Sequence, residues 1–189
     1  MRIACSLGSL LSVEEVLQCT EIASKTGIDS IWIPETWGME NFSMLGAVAN
    51  NTKTQKIGSS IINIYSRSPS TIAMGSATID TLSNGRLILG LGTSSVPIVE
   101  DFHGQKFENP VQRMREYVEI IRLSLMKKQI NYSGKIFDLK NFTLLIEPKR
   151  QTIPTYWAAI NQKMVNLTWE LGDGVIFYLK TIHKIKKRS

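Results

Sequence analysis

The chain has 189 residues, of which 43% are hydrophobic, 20% charged and 8% aromatic, an ordinary globular composition with apolar side chains enough for one sizeable core. The formal net charge of +6 gathers at one end: Lys180, Lys184, Lys186, Lys187 and Arg188 come late, and no acid follows Asp173. Without interleaved aromatics among those bases, and with no apolar run near the roughly 20 residues that span a bilayer, neither a nucleic-acid partner nor a membrane span is expected.

Residues 3–7 read as a buried strand entered straight from the amino terminus, with no signal-peptide apolar core. Ser12 then opens a helix. It can form a capping box with Glu15, Leu11 and Val16 can staple, and Val13, Val16, Leu17 and Thr20 share a face until Gly27 ends the run. Residues 28–34 form a second strand, 43–51 a helix and 57–64 a third strand. Ser68-Pro69 starts the next helix, with proline where its missing N–H costs nothing, and Asn84-Gly85 closes it. Strand four covers 87–91.

Asn109-Pro110 opens the clearest helix of the chain, because Met114, Tyr117, Val118, Ile121 and Leu125 line one face. Between Ile130 and Ile146 the pattern changes to a small hairpin, Tyr132-Ser-Gly-Lys-Ile-Phe-Asp followed by Phe142-Thr-Leu-Leu-Ile. Residues 155–160 give strand five, 161–171 a capped helix and 175–179 strand six.

Strand and helix thus alternate, which favours a parallel sheet with right-handed crossovers. The fold class expected is α/β, a (β/α)8 TIM-barrel type left incomplete at about six βα units, with a small β excursion before strand five. Residues 1–179 form one domain and 180–189 a basic, solvated tail. A complete barrel usually takes about 250 residues, so the chain is either a shortened barrel or an amino-terminal part of one.

In such a sheet the carboxyl ends of the strands carry the chemistry. The candidates are therefore residues 5–9, 35–40, 60–65, 93–95, 159–161 and 178–179. The stretch Arg86-Leu-Ile-Leu-Gly-Leu-Gly-Thr-Ser-Ser95 runs a buried strand into a small-residue turn. There Thr93, Ser94 and Ser95 either present hydroxyls and amides to a ligand or cap a following short helix. Gly90-Leu-Gly92 departs from a dinucleotide fingerprint at Ser95, where the third glycine would stand. Glu35 could accept from a cofactor ring N–H, or serve as partner to an arginine or as a helix cap. Cys5 and Cys19 lack CxxC spacing and read as reduced thiols of a cytoplasmic protein. His103 and His183 lack metal-ligand spacing, so no metal is expected.

The text from Ile57-Gly-Ser-Ser-Ile-Ile-Asn-Ile-Tyr-Ser-Arg-Ser-Pro69 through Thr78-Ile-Asp-Thr-Leu-Ser-Asn-Gly-Arg86, Phe102-His-Gly104 and Arg113-Met-Arg-Glu-Tyr-Val-Glu119 resembles the luciferase-like superfamily. Its nearest branch in likeness is the coenzyme F-420 (deazaflavin)-dependent oxidoreductases of the methylene-tetrahydromethanopterin reductase type. The resemblance implies a TIM barrel with the cofactor at its carboxyl end and a non-prolyl cis peptide in strand three, here Ser60–Ile61. It further implies that Glu35, Ser60, Ile61, Asn63, Thr93, Ser94, Ala159 and Asn161 line the cofactor pocket. The implied activity is hydride transfer between F-420 and an organic substrate such as a folate-like pterin. FMN with a monooxygenase reaction is the alternative cofactor and activity, and a non-catalytic flavin-binding or inert barrel is the alternative outside catalysis. A homodimer and a small-molecule substrate belong to the same set of implications. Sugar-phosphate and alcohol dehydrogenases of the branch carry His, Trp and Glu where this chain has Thr36, Glu40 and Ser95, so neither activity is expected.

Overall fold

The computed structural model describes residues 2–8, 10–127 and 129–177. Strand β1 (Ala4–Ser6) leads into α1 (Val13–Lys25), β2 (Ser30–Ile33) into α2 (Asn41–Asn51), and the pair β3 (Lys56–Ser59) and β4 (Ile62–Asn63) into α3 (Pro69–Leu82). β5 (Leu87–Gly92) is followed by a π-helical turn (Ile98–Phe102) and α4 (Pro110–Met126). The hairpin β6 (Gln129–Ser133) and β7 (Asp138–Thr143) precedes β8 (Thr155–Ala158), α5 (Gln162–Leu171) and β9 (Gly174–Ile176).

Every pairing in the main sheet is parallel, in the order β1-β2-β3-β5-β8-β9, with β4 also on β5. That sheet curls into part of a barrel whose helices cover the outside. Ile31, Ile33, Ile57, Leu87, Leu89, Leu91 and Trp157 are fully buried in the layer beneath the helices. Each such side chain contributes about 1.5–3 kcal/mol by leaving water. The alternate residues face the other way. Ser30, Trp32, Ile88 and Tyr156 share a cleft of about 610 Å³ on the concave side, towards the amino ends of the strands.

Local chemistry explains most element boundaries. Ser12 and Glu15 make the reciprocal capping box, and Gly27 takes the left-handed conformation that ends the first unit. Ser68 caps α3 through the Thr71 amide, with Pro69 in the first turn. The five apolar residues expected on one face of α4 are all buried.

Several boundaries differ from the sequence expectation. α2 begins at Asn41 rather than residue 43, because the Glu40 carboxylate accepts from the Phe42 and Ser43 amides. The hairpin strands start earlier than expected, and residues 144–146 fall beyond β7. The expected third strand is split, because residues 60 and 61 interrupt it with a cis peptide. The last residues of strand six, 178–179, and the basic tail, 180–189, lie outside the described residues.

Candidate functional site

The split strand organises the carboxyl end of the sheet. Pairing of β3 with β5 stops at Gly58–Ile88 and resumes as β4 with β5 at Ile62–Leu91. Between them the buried Ser59 hydroxyl splices the ladder. It donates to the Gly90 carbonyl at 2.9 Å and accepts from the Gly90 amide at 2.7 Å, so neither backbone group is left unpaired where the strand departs. Glycine is needed on the facing strand: a Cβ on Gly90 would lie 1.8 Å from the Ser59 carbonyl oxygen, and one on Gly92 2.3 Å from the Ile61 side chain. Ile61 therefore rests on bare backbone at the end of β5.

Asn63 follows at the end of β4, 5% exposed. Its Oδ1 accepts from the Tyr65 amide at 3.0 Å, which fixes the amide orientation, and its Nδ2 has no partner among the described residues. A buried, unpaired donor costs about 1–3 kcal/mol unless a ligand or water meets it. In register beside Asn63 stands Gly92, and the chain runs directly on to Thr93, Ser94 and Ser95. The hydroxyls of these three make no hydrogen bond among the described residues, and Ser94 adopts a left-handed φ of 58°. An unpartnered amide NH2 and a row of free hydroxyls thus lie at the adjoining ends of β4 and β5, a donor set suited to a carbonyl-rich ring edge.

Glu35 is used differently. Arg67 forks onto both of its carboxylate oxygens, and Glu35 also accepts from the Asn41 amide at 3.1 Å. The structure thus realises the arginine-partner and helix-cap readings of this residue together. Arg67 reaches Glu40 as well, lies over the Phe42 ring, and accepts on its carbonyl from the Tyr117 hydroxyl. Its hydrogen bonds to Glu35 come first among the effects that raise the guanidinium pKa, so it is a permanent cation. Burial opposes ionisation of Glu40, but the Ser43 and Phe42 amides and Arg67 outweigh it and hold the carboxyl below its usual range. Burial pushes the Tyr117 hydroxyl up to about 12, which keeps it a donor.

The remaining predicted residues divide. Ala159 is fully buried at the end of β8, whereas Asn161 caps α5 with its Oδ1 on the Met164 amide at 2.9 Å. Ser60, Ile61, Asn63, Thr93 and Ser94 come together at the adjoining ends of β4 and β5. Asn161 is committed to a helix, and the candidates at 178–179 lie outside the described residues. Sequence reasoning passed over Arg67, although it stands within the quoted Ser66-Arg67-Ser68-Pro69 text. A basic residue just beyond the end of the third strand, one strand along from the acid that ends the second, was the available signal.

A parallel curled sheet with helices outside, a split third strand and a polar strand-end turn define a TIM-barrel-type α/β protein whose candidate site lies at the carboxyl face. The chain belongs to the luciferase-like monooxygenase family, which it matches over residues 1–188. It is 38% identical over 157 residues to 5,10-methylenetetrahydromethanopterin reductase of Archaeoglobus fulgidus, covering 82% of this chain and 46% of that protein. It is 33% identical over 170 residues to a putative coenzyme F-420-dependent oxidoreductase of Mycobacterium tuberculosis, covering 82% of this chain and 49% of that protein. Its fold superposes on the F-420-dependent tetrahydromethanopterin reductase of Methanopyrus kandleri with a TM-score of 0.85 at 23% identity, over 93% of this chain and 55% of that one. The chain spans about half the length of the curated relatives it matches.

Proposed function

We propose that this chain belongs to an oxidoreductase that moves a hydride between the deazaflavin coenzyme F-420 and a small organic substrate. The observation that carries the reading is the unpartnered Nδ2 of buried Asn63 beside the free hydroxyls of Thr93 and Ser94. These groups fit the cofactor's ring, whose pyrimidine edge presents carbonyl acceptors to just such donors. Bound there, the deazaflavin would supply a two-electron hydride carrier.

The chain's own residues do the holding. Asn63, Thr93 and Ser94 would bind the polar edge, and Ser60 and Ile61 would form the floor. Ile61 is pressed against Gly92, where any side chain would push it away. Ala159 closes the wall on the β8 side. Glu35 acts at one remove: its pairing with Arg67 pins the loop after β2 to the segment after β4, next to that floor. Asn161 supports the reading least, since its oxygen already caps α5.

Titrating the purified chain with F-420 and following the coenzyme's visible absorbance tests the proposal. Saturable binding is expected, weakened about tenfold in Thr93→Val, which removes one hydroxyl and keeps the shape. No spectral change with the wild-type chain would overturn it. Yellow colour after purification would instead favour FMN and the monooxygenase reading, which the same ring-edge donors would serve. A soluble chain that binds neither would be the inert barrel.

A homodimer and a cytoplasmic location complete the proposal. The homodimer is carried by the resemblance, and sedimentation tests it. The location is in keeping with the absence, among the described residues, of any helix long and apolar enough to cross a membrane.

A further inference from the structure

Two large side chains at the mouth of the site stay exposed although they touch. Trp37, in the loop after β2, is 73% exposed, and Phe102, at the end of the π-helical turn after β5, is 59% exposed. Their rings meet edge to face, with centroids 5.7 Å apart and planes at 88°. The contact joins the two loops that flank the split strand, above which the unpartnered donors sit. Single exposed apolar residues need no explanation, but a paired indole and phenyl on the catalytic face of a barrel do. Its setting adds to this: π-helical turns are rare and concentrate at functional sites, and this one delivers Phe102 to Trp37.

We infer that Trp37 and Phe102 form a notch that recognises a planar heteroaromatic ring of the substrate, a specificity element that rests on the proposed oxidoreductase reading. Two rings at right angles leave a corner in which a third ring stacks on one face and meets the other edge-on, both being favoured aromatic geometries. A sugar phosphate or short alcohol has no π-face to place there. On the segment between β5 and Phe102, Val96 is 47% exposed and Ser95 carries a free hydroxyl. Neither aromatic belongs to the cluster of Asn63, Thr93 and Ser94 that would bind the cofactor, so the two recognitions are separable.

The test uses the whole chain and its Trp37→Phe and Phe102→Leu variants, with folic acid as the planar probe and glucose 6-phosphate as the non-aromatic control. Folic acid is expected to quench tryptophan emission saturably in the wild type, and the control to leave it unchanged. The quenched signal is expected to disappear in Trp37→Phe. Affinity measured by equilibrium dialysis should fall about five- to tenfold in Phe102→Leu, the scale of one lost ring contact. Melting temperature and affinity for F-420 should stay at wild-type values in both variants. Three results would overturn the inference: no saturable quenching, wild-type folate affinity in Phe102→Leu, or an equal loss of F-420 affinity, which would place the pair in the cofactor's own wall. Failure of the wild type to bind F-420 while folate quenching persists would remove the cofactor reading and leave the notch standing.

Discussion

Arg67 and Glu35 form a two-pronged ion pair in which Nη1 meets Oε2 at 2.7 Å while Nη2 takes Oε1, with side-chain exposures of only 15% and 10%. The pair ties the loop after β2 to the segment after β4. Glu35→Gln keeps the shape but removes the charge and leaves the guanidinium with Glu40 alone. The expected cost is about 1–3 kcal/mol in urea unfolding, because Arg67 is too buried for water to compensate fully. Arg67→Met should cost more than Glu35→Gln, since it strands a carboxylate. Equal stability of wild type and Glu35→Gln would show that the pair does not brace the site.

Arg86 is a second buried cation, 8% exposed, and it has no carboxylate partner among the described residues. Its five N–H groups meet five acceptors: the carbonyls of Ser83, Gln55, Ala49 and Thr52 and the hydroxyl of Thr52. The guanidinium thus closes the carboxyl end of α2 against the turn after α3, where the helix dipole favours a cation. Burial lowers its pKa without neutralising it. Arg86→Lys retains charge but loses the planar fork and strands several of these acceptors, so a loss of about 3 kcal/mol is expected by chemical denaturation.

Gly90 and Gly8 make a matched pair of tests. Alanine at Gly90 would place its Cβ 1.8 Å from the Ser59 backbone oxygen, whereas nothing lies within 4 Å of a Cβ on Gly8. Gly90→Ala should cost about 3 kcal/mol or more, the upper end for overpacking, because backbone rather than a flexible side chain must yield. Gly8→Ala should remain within about 0.5 kcal/mol of wild type in thermal melts.

Glu116, 1% exposed, anchors the hairpin to α4 by accepting from the Lys135, Ile136 and Phe137 amides and from Gln112. Burial opposes its ionisation, yet these donors prevail and its pKa is lowered. A carboxyl whose folded pKa is depressed stabilises the fold above its unfolded pKa of about 4.3, and that contribution disappears as pH falls through the lower folded value. Glu116→Gln should therefore be less stable than wild type at neutral pH and converge with it in acid. Parallel pH profiles of the two proteins would contradict this account.

Much of the fold was legible because local signals agree with the final packing. The Ser12–Glu15 box, the Ser68-Pro69 start and the apolar face of α4 are each written within one helix and hold in the structure. The split third strand was legible only through family resemblance. Residues 57–64, Ile-Gly-Ser-Ser-Ile-Ile-Asn-Ile, read locally as one strand, and no turn residue among them marks the break at Ser60 and Ile61. The contact that bridges the break, the Ser59 hydroxyl on the Gly90 backbone, joins residues 31 positions apart.

The site divides in the same way. Thr93 and Ser94 could be picked out as small polar residues after a glycine-rich strand. Glu35 could not be assigned, because a strand-end carboxylate reads alike whether it awaits a ligand or an arginine. Its role was decided by Arg67, 32 residues on. Trp37 and Phe102 carry no pattern linking them, since their contact spans 65 positions and arises from two loops of different length.

Taken alone, the sequence determined the alternation of strands and helices, the caps that begin and end most helices, and which faces are apolar. These depend on neighbours within a turn or two, where backbone hydrogen bonding and side-chain period act directly. Tertiary structure decided which carboxylates are paired, which donor is left without a partner and which exposed rings meet. Those outcomes depend on distances between strand ends, set by sheet curvature and by where glycines let the chain come close, and no local pattern encodes them.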